Sequence, residues 1–125
     1  MEGFRDPSRQ VSVLIVDDDP DSADSLGLLL EHWNHRVWVA YDGKTAIDVY
    51  RRQLPEIVLL DIRLPDIDGF EVARVLKREP HQAILVALTG FGSDDERHPI
   101  FESGFDRHLV KPVKLHELES LLASV

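Results

Sequence analysis

The sequence predicts a doubly wound α/β domain, a five-stranded parallel sheet with five helices, and three observations carry that expectation. Five short apolar runs recur along the chain, segments of helical spacing separate them, and polar residues stand directly after four of the five runs.

The runs are Val11 to Val16, Val37 to Ala40, Ile57 to Leu60, Ala83 to Leu88 and His108 to Val110. They lack polar alternation, so each reads as a strand covered on both faces, as in a parallel sheet sandwiched between helices. Leu26, Leu29, Leu30 and Trp33 share a helical face, as do Ala46, Ile47, Val49 and Tyr50. The same spacing joins Phe70, Ala73, Leu76 and Lys77, and then Leu115, Leu118, Leu121, Leu122 and Val125. Asp19 followed by Pro20 reads as an N-cap and first helical residue. Ser93 and Glu96 form a capping-box pattern for the fourth helix, which Pro99 should distort or delay. Short connections of this kind impose right-handed crossovers. In such sheets the ligand lies beyond the carboxyl ends of the strands, where the strand order reverses.

A chain of 125 residues with 43% hydrophobic content suits one domain with one core. Residues 1–10 are polar and read as a loose, disordered leader, leaving 11–125 as the folded domain. Fourteen basic and 23 acidic side chains give a net charge of −9, which disfavours direct contact with nucleic acid or an anionic membrane. With no cysteine, disulfides and thiolate metal sites are excluded, and a reducing cytoplasm suits the chain. No stretch approaches the ~20 apolar residues of a membrane span, so a soluble cytoplasmic domain is expected.

After the first run come Asp17 and Asp18, after the third Asp61, after the fourth Thr89 and after the fifth Lys111. The topology gathers them on one rim. Carboxylates a few ångströms apart repel by about 1 to 4 kcal/mol per pair. A hard divalent cation with oxygen ligands offsets this, and carboxylates with waters suit Mg²⁺. Lys111 adds a fixed positive charge, and together they could hold the oxygens of a phosphoryl group in transfer. A carboxylate free of other duties could then act as the nucleophile. Asp19 is expected to cap its helix, and Asp66 and Asp68 to serve as loop or cap residues in the turn ending at Gly69.

These residues carry a family pattern. Val16-Asp17-Asp18, Leu60-Asp61-Ile62-Arg63-Leu64-Pro65, Asp68-Gly69, Leu88-Thr89-Gly90 and Lys111-Pro112 together resemble the receiver domains of response regulators in two-component signalling, chemotaxis-regulator-like receivers included. The match runs from about Ser12 to the end of the chain. The resemblance implies a flavodoxin-like sheet of order 2-1-3-4-5 and phosphorylation of Asp61. It further implies Mg²⁺ bound by Asp18, Asp61 and the Arg63 backbone carbonyl, with Asp17 acting through water. Thr89 would bond one phosphoryl oxygen, Lys111 would pair with another, and the Lys111-Pro112 bond would be cis. The donor would be a sensor histidine kinase or a histidine phosphotransfer protein. The chain would be a phosphoacceptor rather than an enzyme, changing its surface on the fourth helix, fifth strand and fifth helix. His108 stands where the family usually places a switching Tyr or Phe. Arg63 and Phe91 match positions that govern water access to the acyl phosphate, and both being bulky implies slow self-hydrolysis. Leu88 to Gly92 and Gly104 to Asp106 resemble receivers attached to hybrid histidine kinases.

Two other readings compete. Asp17-Asp18-Asp19 after a strand resembles the nucleophile motif of haloacid-dehalogenase-type phosphatases, which would put the adduct on Asp17. Asp21 stands where that motif wants Thr or Val, and the acidic pair comes first rather than late. The other is an interaction module that keeps the fold without being phosphorylated. Gly43-Lys44-Thr45 fails as a phosphate loop because Trp38 occupies the earlier glycine position. The turn at Asp66 to Gly69 fails as a calcium loop, with Leu64 and Val75 where the end ligands belong.

Overall fold

Each apolar run becomes a strand, and the strands pair in parallel. A computed structural model describes residues 9–90 and 102–125. The elements are β1 (Ser12–Val16), α1 (Pro20–His32), β2 (Arg36–Ala40), α2 (Gly43–Gln53), β3 (Ile57–Asp61), α3 (Gly69–Lys77), β4 (Ile84–Thr89), β5 (Arg107–Val110) and α4 (Leu115–Ala123). The sheet order is β2-β1-β3-β4-β5. Four helices stand among the described residues where five were expected. The expected helix near Ser93, with Glu96 and Pro99, lies outside them, as does Phe91.

Strand pleating sends alternate residues to opposite faces, which is why one sheet serves two cores. Leu14, Val16, Val58, Leu60, Leu85 and Ala87 face α2 and α3, packing with Ala46, Tyr50, Val72, Ala73 and Leu76. Val13, Ile15, Ile57, Leu59, Val86 and Leu88 face the other way, against Ala23 and Leu30 of α1 and Leu118, Leu121 and Leu122 of α4. The expectation of strands covered on both faces holds for β1, β3 and β4. β2 and β5 lie at the edges, and their residues are partly exposed because each has only one neighbouring strand.

The helix starts follow local chemistry. Asp19 Oδ1 accepts the Asp21 N–H at 3.1 Å and its Oδ2 accepts the Ser22 hydroxyl at 2.9 Å, as expected of a cap before Pro20. Asp68 caps α3 through the Phe70 N–H at 2.7 Å. Among the described residues no helix is long and apolar enough to cross a membrane.

The chain leaves β1 for the β2 edge and then crosses back to β3, so strand order reverses between β1 and β3. Val16 pairs with Leu60, which sets Asp17 and Asp61 side by side, one residue further on, at the mouth of that crevice.

Candidate functional site

Register assembles the rim. Asp61 lies opposite Leu88, so Thr89 projects one residue beyond it, and Thr89 pairs with Val110, the residue before Lys111. The Lys111 N–H donates to the Thr89 carbonyl at 2.7 Å, which ties the end of β5 to the end of β4. The bond between Lys111 and Pro112 is cis, as the resemblance implied.

Burial then separates the acids. Asp17 is 3% exposed and Asp61 8%, whereas Asp18 is open to solvent. The Lys111 ammonium bridges the two buried carboxylates, at 2.9 Å from Asp17 Oδ2 and 2.8 Å from Asp61 Oδ2. Their other oxygens take backbone donors: Asp17 Oδ1 accepts the Asp19 N–H at 3.0 Å, and Asp61 Oδ1 accepts the Arg63 N–H at 2.9 Å. Burial pushes the Asp61 pKa above the ordinary carboxylate value. Lys111 and the Arg63 N–H pull it back, Asp17 adds repulsion, and the net direction is upward. For Lys111, burial works against the ammonium, but its hydrogen bonds to Asp17 and Asp61 outweigh that and raise its pKa.

Asp17, Asp18 and Asp61 each offer one carboxylate oxygen within 4.8 Å of the others. Mg²⁺ binds oxygens at about 2.0 to 2.1 Å, so two ligands on opposite sides of one ion stand about 4.2 Å apart. The cluster fits such an ion with a small contraction or with one acid acting through water. Charge agrees: three carboxylates against one ammonium leave two negative charges, which one dication neutralises.

The last member is Thr89, 1% exposed. Its Oγ1 is buried and has no hydrogen-bond partner, and it is the one such side-chain atom among the described residues. Leaving a hydroxyl so costs about 1 to 3 kcal/mol, so an orphan of this kind at a polar rim marks a place for an incoming oxygen.

The structure thus brings Asp17, Asp18, Asp61, Thr89 and Lys111 together. Arg63 joins through its backbone N–H, while its side chain is exposed. His108 is half-buried on β5 and, with Arg107, Leu109, His116, Glu117, Ser120 and Leu121, lines a groove of about 290 Å³ beside α4. The sequence reading took Gly69 as a turn residue and missed its second role. A Cβ there would fall 2.4 Å from the Ile62 Cα and 2.7 Å from the Asp61 carbonyl oxygen, so its lack of a side chain lets α3 start against the backbone that carries Asp61. Its N–H donates to the Ile62 carbonyl at 3.0 Å. The Asp-Gly pair signalled the turn, but no local pattern signalled that approach.

Known proteins are similar to this chain in sequence and fold. The family model for the response regulator receiver domain matches residues 13–123. A 14.6 kDa protein from the sodA1 3' region of Leptolyngbya boryana is 36% identical over 115 residues, covering 90% of this chain and 88% of that protein. The transcriptional regulatory protein AfsQ1 of Streptomyces coelicolor is 36% identical over 114 residues, 91% of this chain, which spans only 50% of AfsQ1. Among solved structures, the receiver domain of the sensor histidine kinase PA1611 of Pseudomonas aeruginosa is 28% identical with a TM-score of 0.83, covering 91% of this chain and 95% of that one. It holds a magnesium ion in its active-site cleft. The receiver domain of Ssk1, solved with the histidine phosphotransfer protein Ypd1 of Saccharomyces cerevisiae, is 28% identical with a TM-score of 0.81, covering 92% of this chain and 87% of that one. Strand order, the acidic crevice and the extent of the match agree, and the chain belongs to the response regulator receiver domain family.

Proposed function

We propose that this domain accepts a phosphoryl group on Asp61 in a Mg²⁺-dependent reaction and acts as a phosphorylation-controlled switch in the cytoplasm. The observation that carries the reading is the unpartnered Thr89 hydroxyl. An acidic cluster is explained by cation binding alone, but a buried donor without an acceptor, on the same rim as Asp61 and Lys111, suits a phosphoryl oxygen.

An Asp61 carboxylate oxygen attacks phosphorus, and the bond from phosphorus to the donor breaks. With a phosphohistidine donor the P–N electron pair stays on the imidazole, which takes up a proton, and an acyl phosphate forms on Asp61. Asp17, Asp18, Asp61 and the Arg63 carbonyl would hold Mg²⁺, which when bound would neutralise charge on the phosphoryl oxygens. Lys111 pairs with one of those oxygens and Thr89 donates to another. The domain is a phosphoacceptor, not an enzyme with a separate substrate.

Histidine kinases and histidine phosphotransfer proteins are the proposed donors, a reading supported by the pairing of the similar Ssk1 receiver with Ypd1. The output surface is proposed on β5, α4 and the chain preceding β5, with His108 in the aromatic switch position.

Incubation with acetyl phosphate, with and without Mg²⁺, tests this by intact mass and peptide mapping. One phosphoryl group should appear on Asp61 only when Mg²⁺ is present, and Asp61→Asn should abolish it. An adduct on Asp17 would establish the dehalogenase-type alternative, and no adduct at all the interaction module.

A further inference from the structure

The loop from β3 to α3, residues 62–68, carries the Arg63 carbonyl that the proposed function assigns to Mg²⁺. Ile62 is buried and Leu64 and Ile67 pack against the core, while Arg63, Pro65, Asp66 and Asp68 are exposed. Its base is tied to β4 by the Ile62 N–H on the Leu88 carbonyl at 3.4 Å and to α3 by the Gly69 N–H on the Ile62 carbonyl at 3.0 Å, and a side-chain pair ties its far end to α2. Asp66 Oδ1 accepts the Gly43 N–H at 2.8 Å and Oδ2 accepts the Lys44 N–H at 3.0 Å, both in the first turn of α2.

Those donors have no partner within their own helix. The next two are served from inside the segment: Asp42 Oδ1 takes the Thr45 N–H at 2.7 Å and the Asp42 carbonyl takes the Ala46 N–H at 3.1 Å. The end of α2 is therefore completed only by a carboxylate reaching it from the loop that follows Asp61. Packing beneath the contact is close. A Cβ on Gly43 would lie 3.0 Å from Ile67 Cβ and from Val72 Cγ2, and 3.3 Å from Asp66 Oδ1, so the loop and the start of α3 rest on a site that a side chain would crowd. The Gly43 N–H, seconded by that of Lys44, holds the Asp66 carboxyl below its ordinary pKa. Two acceptor oxygens facing two N–H groups at a positive helix end form a pair of charge-assisted bonds.

We propose that Asp66 is a positioning residue for the metal site, its two hydrogen bonds to α2 holding the β3–α3 loop, and with it the Arg63 backbone, where Mg²⁺ binding needs it. This rests on the proposed function and adds the element that anchors its ligand loop. An amide at this position offers one acceptor for two donors, so Asn should anchor the loop only in part.

Mg²⁺ titration by calorimetry on the wild type, Asp66→Ala, Asp66→Asn and Asp42→Ala tests it. Asp42→Ala removes a cap from the same helix without touching the loop. Asp66→Ala should weaken Mg²⁺ binding about tenfold, the lower end for partners that orient a ligand, with Asp66→Asn intermediate. Phosphorylation by acetyl phosphate should return to the wild-type rate once Mg²⁺ saturates. Asp42→Ala should lower the thermal midpoint and leave Mg²⁺ affinity unchanged. Wild-type affinity in Asp66→Ala, or an equal loss in Asp42→Ala, overturns the positioning role while leaving the proposed function intact. Absence of Mg²⁺ uptake by the wild type overturns both.

Discussion

At the amino ends of the strands polar groups pair with one another, whereas at the carboxyl ends they converge and one is left over. Around the amino rim, Glu56 accepts from the Arg9 guanidinium at 2.8 Å and from the Ser12 N–H at 3.0 Å, while the Ser12 hydroxyl accepts the Glu56 N–H at 3.0 Å. Burial acts to raise the Glu56 pKa, but the Ser12 and Arg9 donors prevail and lower it. Tyr50 donates to the His81 carbonyl at 2.6 Å and accepts the Ala83 N–H at 3.1 Å. At the carboxyl rim, Asp17 and Asp61 share one ammonium and the Thr89 hydroxyl has nothing. Satisfied polar groups fasten the fold, and unsatisfied ones are what a ligand can complete.

Substitutions at the two rims should therefore fail in different ways. The largest loss is expected from Gly69→Ala, because the added methyl meets backbone rather than a movable side chain. Overpacking of this kind should destabilise the domain by about 3 kcal/mol and displace the loop after Asp61, so both urea unfolding and acetyl phosphate labelling should suffer. Unchanged labelling in the folded fraction would separate Gly69 from the site. Tyr50→Phe comes next. It removes the acceptor for the buried Ala83 N–H and should cost about 2 kcal/mol, with Asp61 labelling intact at a temperature where the variant stays folded. A labelling defect there would mean that the rims are coupled.

Thr89→Val sharpens the contrast by reversing its sign. Removing a buried hydroxyl that has no partner should stabilise the unligated domain by about 1 kcal/mol, while phosphorylation-dependent change in partner binding is lost. Equilibrium denaturation without phosphodonor decides it. A destabilised Thr89→Val would show that the hydroxyl already has work in the unmodified fold.

The carboxyl rim was legible in the sequence and the amino rim was not, for a physical reason. In a parallel sheet the site residues stand at the last position of a strand or just past it, so Asp17, Asp61, Thr89 and Lys111 announce themselves by following apolar runs. The amino rim is built from pairs remote in the chain, such as Tyr50 with Ala83 and Val11 with His35, and no local pattern marks either partner. The link from Asp66 to Gly43 escaped for the same reason: a loop or cap role in its own turn was expected, but not that it would cap a helix whose first residue precedes it by 23 positions. Arg36 and Arg107 were left out of the strands they begin because apolarity reports burial, and the open ends of edge strands are paired without being buried.

The smallest expected effect tests whether the amino rim depends on protonation. The Val11 N–H donates to His35 Nδ1 at 3.1 Å, which requires a ring with a lone pair there, that is, a neutral imidazole. Burial lowers the His35 pKa, and the Glu56 charge opposes this without reversing it. Below the ordinary histidine value of 6.5 the unfolded chain therefore binds more protons than the native state. Stability then rises with pH through that window. The contribution is complete above 6.5 and is lost as the pH falls through the lower folded value. Urea midpoints between pH 7.5 and 5.5 should thus decline more steeply for the wild type than for His35→Gln, whose amide can still accept the Val11 N–H but does not titrate. Equal slopes would mean that His35 keeps its proton balance on folding, and that the amino rim, unlike the acidic crevice opposite, is held together independently of pH.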